Sequence, residues 1–275
     1  MNYLKTPNRT HYLIALGLYL MSAINVHAND AINFYLPQHS KDNSELHKSL
    51  QLTLNKAGLS FIKVRSTHFW HPYIQGLRQG RPGIYFSAPH LSAWAVNNHQ
   101  FEPMLRLTGK LQHVLVSRRS DTDIFEVNDL HKKHICTSKA PNLDFILASQ
   151  LLRGSINSPV ITIKKSSSQA MFKDDKSCDA FSISDHIFTR YALKDPYKFI
   201  RLHQGVQYPN YAFLSSADIS KDTRFKLKQI LLNRATIKLM KPLYLNYANS
   251  TTLLVATKED FLNIPNEYLN RVWAR

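Results

Sequence analysis

Three passes of one pattern fill residues 134–193. His134-Ile135-Cys136-Thr137-Ser138 leads through Pro141 into the apolar run Leu143 to Leu152. Val160 to Ile163 leads through Ser166-Ser167-Ser168 into Ala170-Met171-Phe172. Ala180-Phe181-Ser182-Ile183 leads through Ser184-Asp185-His186 into Ile187 to Leu193. Each pass reads as apolar strand, hydroxyl-rich turn and helix. A strand end that feeds a helix start leaves backbone N–H groups pointing outward, and the helix dipole makes that end positive. Serine and threonine add donors at the same edge, which suits an oxyanion. In open α/β sheets ligands sit beyond the carboxyl ends of the strands.

The same grammar runs through the front of the chain. A strand over Ile32 to Leu36 ends at Pro37-Gln38-His39-Ser40, and a helix follows with Leu46, Leu50 and Leu54 on one face. Phe61 to Val64 is the next strand, and Phe69 to Leu77 a short helix. Gly83-Ile84-Tyr85-Phe86 is a strand that ends at Ser87-Ala88-Pro89-His90, where a helix begins. The pattern then changes. Met104 to Leu107 and His113 to Ser117 alternate like antiparallel or crossing strands, and Arg118-Arg119-Ser120-Asp121 is a polar break. Phe199 to Leu202 is a strand, Gly205 to Asn210 a connector, and Tyr211 to Leu214 a strand again. Helices close the chain at Thr223 to Leu232 and near Asn266 to Trp273.

Two α/β units joined by two crossings imply two lobes. The crossings are expected near Ser117 to Asp121 and near Leu202 to Tyr208. Residues 29–118 plus 206–275 would form lobe 1, and residues 119–205 lobe 2. A cleft between them, lined by helix starts from both, would close by hinge motion.

Residues 1–28 read as an export signal. Lys5 and Arg9 precede an apolar stretch from Tyr12 to Ile24, and Val26-His27-Ala28 is a small-residue cleavage site. Cleavage after Ala28 and a periplasmic destination are expected, with an uncleaved anchor as the other reading. The full chain has 35 Lys+Arg against 19 Asp+Glu, a net +16. Such an excess draws anions toward the surface. The basic residues are spread along the chain with no block interleaved with aromatics, which speaks against specific nucleic-acid binding. A hydrophobic content of 44% supports a real core. A monomer is expected.

Cys136 and Cys178 fall on the first and third passes of the pattern, neighbours in a 2-1-3 strand order. An oxidising compartment permits a disulfide between them. Two buried thiols are the alternative.

The ordered set of motifs resembles the periplasmic phosphonate-type substrate-binding proteins of ABC importers. It comprises Gly83 to His90, His113 to Arg119, Asp129-Leu130-His131-Lys132-Lys133, Cys178 to Ser182, and Tyr208-Pro209-Asn210. The resemblance implies the type II two-lobe α/β fold, each lobe a mixed sheet flanked by helices. It implies capture of a small oxyanion, phosphate-like or phosphonate-like, with no cofactor and no covalent chemistry. Carried across by position, Thr137, Ser138 and Asn142 would contact the ligand from lobe 2. Ser184, Asp185 or His186 would join them. Ser87 and His90 would face them from lobe 1, with Tyr35, Gln38 or His39. An ABC permease, or a membrane sensor protein, would be the macromolecular partner. The chain departs from the aminoalkyl-phosphonate binders after Thr137-Ser138. Lys139-Ala140-Pro141 stands where those proteins continue the run of serine and threonine.

On the residues alone, several of these turns have a plainer use. Thr137, Ser138, Ser166 to Ser168 and Asp185 are all residue types that cap helices. Asp185 is alternatively a seat for an amine. His68 and His71 have i, i+3 spacing but no third ligand, so no metal site is expected. Ser184-Asp185-His186 contains triad residue types, but adjacent residues cannot build that relay. The nucleophile elbow G-x-S-x-G and the phosphate loop G-x-x-x-x-G-K are both missing.

Overall fold

The computed structural model describes residues 31–37, 44–67, 70–121, 123–151, 160–163, 177–264 and 269. The expected export signal, Gln38, His39, Ser166 to Ser168, His68 and most of the helix expected near Asn266 to Trp273 lie outside these. Two mixed sheets carry the architecture. The first contains β1 (Ile32–Pro37), β2 (Ile62–Thr67), β3 (Ile84–Ser87), β4 (Glu102–Leu107), β12 (Ala212–Ser215) and β13 (Leu253–Val255). Its order is β13-β4-β12-β3-β1-β2. β2, β1 and β3 run parallel, while β12 is antiparallel to both β3 and β4. The second contains β6 (His113–Arg118), β7 (His134–Thr137), β8 (Val160–Ile163), β9 (Ala180–Ser184) and β10 (Phe199–Gln204), in the order β10-β6-β9-β7-β8. Here β8, β7 and β9 are parallel, and β6 is antiparallel to β9 and β10. Each lobe thus has a 2-1-3 parallel core followed by one reversed strand.

Helices cover both faces of the first sheet. On one side lie α1 (Ser44–Lys56), α6 (Lys221–Leu232) and α7 (Arg234–Tyr247). Leu46, Leu50 and Leu54, one turn apart on α1, join Phe34, Phe86, Phe213, Leu227 and Tyr244 in one core. Each such aliphatic side chain contributes about 1.5–3 kcal/mol when fully buried. On the other side lie α2 (Trp70–Arg78), α3 (Pro89–His99) and α8 (Glu259–Leu262), with Tyr73, Leu77, Tyr85, Leu91, Phe101 and Phe261 inside. Tyr85 is a hub: it stacks on Tyr35 at 4.7 Å and meets Phe101 edge-on at 5.7 Å. α2 comes close enough that a Cβ on Gly76 would stand 2.7 Å from the Tyr85 hydroxyl.

Among the described residues the second sheet has smaller cores. α4 (Leu143–Leu151) and the 3-10 turn Val127–Leu130 cover one face, over Leu115, Ile124, Leu130, Ile135 and Ala148. α5 (Asp185–Ala192) covers the other, over Val114, Val116, Phe181, Phe188 and Phe199. Cys136 and Cys178 are joined there as a disulfide across 42 residues of chain. Cys178 sits two residues ahead of β9 rather than within it.

The lobe boundary differs from the expected residue 118. His113–Arg118 pairs with β9 and β10, so it is an interior strand of the second sheet. The chain crosses earlier, between β4 and β6, at residues 108–112, and returns at 205–211. There β5 (Lys110–Leu111) and β11 (Tyr208–Pro209) form a small ribbon. Gly205 marks the return: its N–H donates to the His113 carbonyl at 2.9 Å, and a Cβ would meet Leu147 at 2.8 Å. Arg118, read as the start of a polar break, is buried. It donates to the Cys178 carbonyl at 2.8 Å and lies over the Phe181 ring.

Candidate functional site

A cavity of about 270 Å³ lies between the two lobes. Three helix starts point at it. From lobe 1 the β3–α3 turn brings Ala88 and His90, and the end of α7 brings Asn246 and Tyr247 beside Tyr211. From lobe 2 the β7–α4 turn brings Ser138, Asn142 and Asp144, and the β9–α5 turn brings Ser184 and His186. His113 and Leu111 line it from the crossing. Leu143 and Ile146 of α4 pack into the lobe 1 cluster containing Leu91 and Leu111, so the lobes also meet through apolar contact.

The lobes are pinned by hydrogen bonds from both sides. His90 Nε2 of lobe 1 lies 2.8 Å from the Pro141 carbonyl of lobe 2. His186 of lobe 2 faces the Asn246 backbone of lobe 1, which raises its pKa. Arg190 of α5 donates to the Leu245 carbonyl at 3.3 Å. Among the described residues, His90 Nδ1, His113 Nδ1 and His186 Nε2 are buried with no hydrogen-bond partner. His90 is only 4% exposed.

These rings resist protonation. Burial pushes His90 down to about 4, partly offset by its bond to Pro141. Burial, with repulsion from His90 and His186, pushes His113 to about 3. Burial and the nearby Arg190 push His186 to about 4. Burial holds the Tyr211 phenol well above its ordinary range and takes Tyr247 up to about 12. Desolvation is the common cause: each group loses water that would stabilise its charged form.

Among the described residues, Asp144 is the one acidic side chain lining the cavity. Its carboxylate accepts the Ser138 N–H at 2.7 Å, and the Ser138 hydroxyl and the Phe145 N–H also bond to it. Burial raises its pKa against these donors. The donors at the start of α4 are therefore partly occupied by a carboxylate from within the chain.

The structure sorts the expected contact residues. His90, Ser138, Asn142, Ser184 and His186 converge on the cavity. Ser87 and Thr137 do not line it; both are fully buried in their own turns. The Ser87 hydroxyl lies 3.4 Å from the Ala88 carbonyl and also meets Tyr73, and Thr137 donates to the Ser138 carbonyl at 2.9 Å. Each belongs to the last residue of a strand buried on both faces, so its side chain is turned into packing. Tyr35 is engaged with Tyr85 instead of the cavity. Asp185 pairs with Arg201 at 2.6 Å and lines a neighbouring pocket. Gln38 and His39 lie outside the described residues.

Asp144, His113, Tyr211, Asn246 and Tyr247 were not singled out from the sequence. Asp144 left a signal: it is the single charged residue of the apolar helix segment Leu143–Leu151. The other four leave none, because they come from segments distant in sequence. Among the described residues no group of three or more His, Cys, Asp or Glu side chains is arranged to hold a metal ion.

The architecture matches solved two-lobe binding proteins. XAC2383 from Xanthomonas citri, bound to ATP, superposes with a TM-score of 0.66 at 14% identity, over 88% of this chain and 98% of that one. PhnD1 from Prochlorococcus marinus, in complex with methylphosphonate, gives 0.65 at 12% identity, over 90% and 100%. The binding protein component PA3383 of a phosphonate ABC transporter from Pseudomonas aeruginosa gives 0.60 at 14%, over 88% and 93%. No family model matches the sequence, and no curated protein does. The chain therefore has the type II periplasmic-binding-protein fold, shared with phosphonate-binding components of ABC importers.

Proposed function

We propose that this protein is an exported solute-binding protein that captures a small oxyanion between its lobes for ABC-type import. The ligand is phosphate-like or phosphonate-like, and no covalent chemistry is done on it. One observation carries the reading: a cavity walled by both lobes receives three helix starts. His90, Ser138, Asn142, Ser184 and His186 are the proposed contacts. Helix starts favour anions, and the net +16 of the full chain steers them inward. Micromolar binding corresponds to about −8 kcal/mol, within reach of a few charge-assisted bonds and excluded water. The periplasm is the proposed compartment and an ABC permease the proposed partner. The other use of the same closed form is sensing, with a membrane signalling protein as reader.

Asp144 favours a second reading, in which the solute also carries an ammonium or hydroxyl donor. A thermal-shift panel separates these. A ligand at 100 times its Kd adds about 2.7 kcal/mol, so phosphate, methylphosphonate, sulfate and methanesulfonate should raise the melting temperature in proportion to affinity. Shifts only with amine-bearing solutes would favour the second reading. Weak, salt-sensitive shifts with every compound would overturn both and leave a basic surface-binding protein.

A further inference from the structure

His90 and His186 occupy equivalent places. Each is the second residue of the helix that follows the third strand of its lobe's parallel core. Each reaches across the cleft to a backbone group of the other lobe, His90 to Pro141 and His186 to Asn246. A carbonyl only accepts, so Nε2 of His90 carries the proton. The Asn246 backbone raises the pKa of His186, as a nearby carbonyl does, and Nε2 is the nitrogen buried without a partner.

A neutral imidazole has one N–H. In His90 it is committed to the opposite lobe, and in His186 the Asn246 backbone of the opposite lobe is placed to take it. The nitrogens that remain, His90 Nδ1 and His186 Nε2, are lone pairs buried at the cavity wall. Lone pairs repel an oxyanion, and Asp144 adds another acceptor beside them. Resting on the oxyanion reading above, we propose that the cleft takes its anion together with protons. His90 and His186 become imidazolium on binding, and each donates one N–H to the opposite lobe and the other to the ligand. The protons come from solvent, and no covalent bond changes. The same two rings then report occupancy and hold the closure.

The surroundings bear on this from every side. Asp144 of α4 and Asp185 of α5 favour the charged rings, while Arg190 of α5 and His113 of β6 oppose them. Tyr211 and Tyr247 stay neutral because burial raises both phenols. Without an anion, burial keeps His90 and His186 neutral at pH 7. A bound anion supplies the missing counter-charge.

Calorimetry of the mature chain tests this, with each anion titrated in two buffers of different ionisation heat. Sulfate and methanesulfonate have no proton to exchange near neutrality, so any uptake belongs to the protein. We expect between one and two protons taken up per anion at pH 7. Affinity should rise roughly tenfold per pH unit for each proton as pH falls from 8 toward 6.5. His90→Gln and His186→Gln each keep an N–H for the opposite lobe and should each lower the uptake. If only phosphonates bind, the difference between wild type and these variants is the readout. Nitrogen-15 spectra of the wild-type histidines read ring charge directly, so a variant that fails to bind does not remove the test. An anion that binds with no proton uptake from pH 6 to 8 overturns this inference alone. Uptake that survives both glutamine variants but vanishes in Asp144→Asn also overturns it. If no oxyanion binds at any pH, the oxyanion reading itself falls, and this inference with it.

Discussion

The two lobes use the same turn for the same purpose and hold it in place by different means. In lobe 1, β3 runs through Ser87-Ala88-Pro89 to His90; in lobe 2, β9 runs through Ser184-Asp185 to His186. Both present a histidine from the first turn of a helix, and both histidines cross to the other lobe. Lobe 1 braces its turn with a dense aromatic core, where Phe86 lies 4.8 Å from Phe213 and 5.5 Å from Tyr211. Lobe 2 has, among the described residues, a thinner core on each face of its sheet and a disulfide between β7 and the approach to β9. The cross-link stabilises that lobe by restricting its unfolded chain.

The largest test of this contrast lies in lobe 1. Phe86→Ala should cost about 3–5 kcal/mol as a cavity in a packed core, read as a lower denaturant midpoint. Replacing Cys136 and Cys178 with serine together should cost about 4 kcal/mol in the chain-entropy model. Hydrogen exchange should show that loss in β7 to β9 while β1 to β3 keep their protection. Equal loss in both sheets would mean the lobes do not differ in the way described.

Acid comes next. The pKa values of His90 and His186 are lowered in the closed form to about 4, from an ordinary value of 6.5. Their neutral rings therefore favour closure fully above about pH 6.5, and that contribution is lost as pH falls toward 4. Small-angle scattering of the ligand-free protein should show a larger radius at pH 4.5 than at 7.5, and His90→Gln should reduce the change. A radius independent of pH would count against the latches.

Two smaller effects sharpen the picture. Ser138→Ala removes a hydroxyl from Asp144 and should weaken ligand binding by about 1 kcal/mol without unfolding the chain. Unchanged affinity in calorimetry would remove Ser138 from the site. Asp185→Asn breaks a half-exposed pair with Arg201 and should change stability by less than about 1 kcal/mol. A larger loss in a melting curve would show that this pair, and not packing, braces the second turn.

Much of the fold was legible because its units are local. Leu46, Leu50 and Leu54 mark a buried helix face, and the described strands of the threefold pattern, β7, β8 and β9, lie side by side in the expected order. The lobe boundary was not. Val114, Leu115 and Val116 have the apolar character of a strand in either sheet, and only pairing with β9 and β10 assigns them to the second. The candidate site was legible in outline. Every turn expected at the cleft with a described structure is there or beside it, but Ser87 and Thr137 point into packing while Asp144, hidden in an apolar run, faces the cavity.

Residue order alone determined the repeated strand–turn–helix units and where their polar edges fall, because hydrophobic period and turn chemistry act over a few residues. Tertiary structure alone decided which atoms of those edges meet. That choice depends on how two lobes register against each other across the cleft, and the residues that set the register, such as His90 with Pro141 and His186 with Asn246, stand 50 or more positions apart.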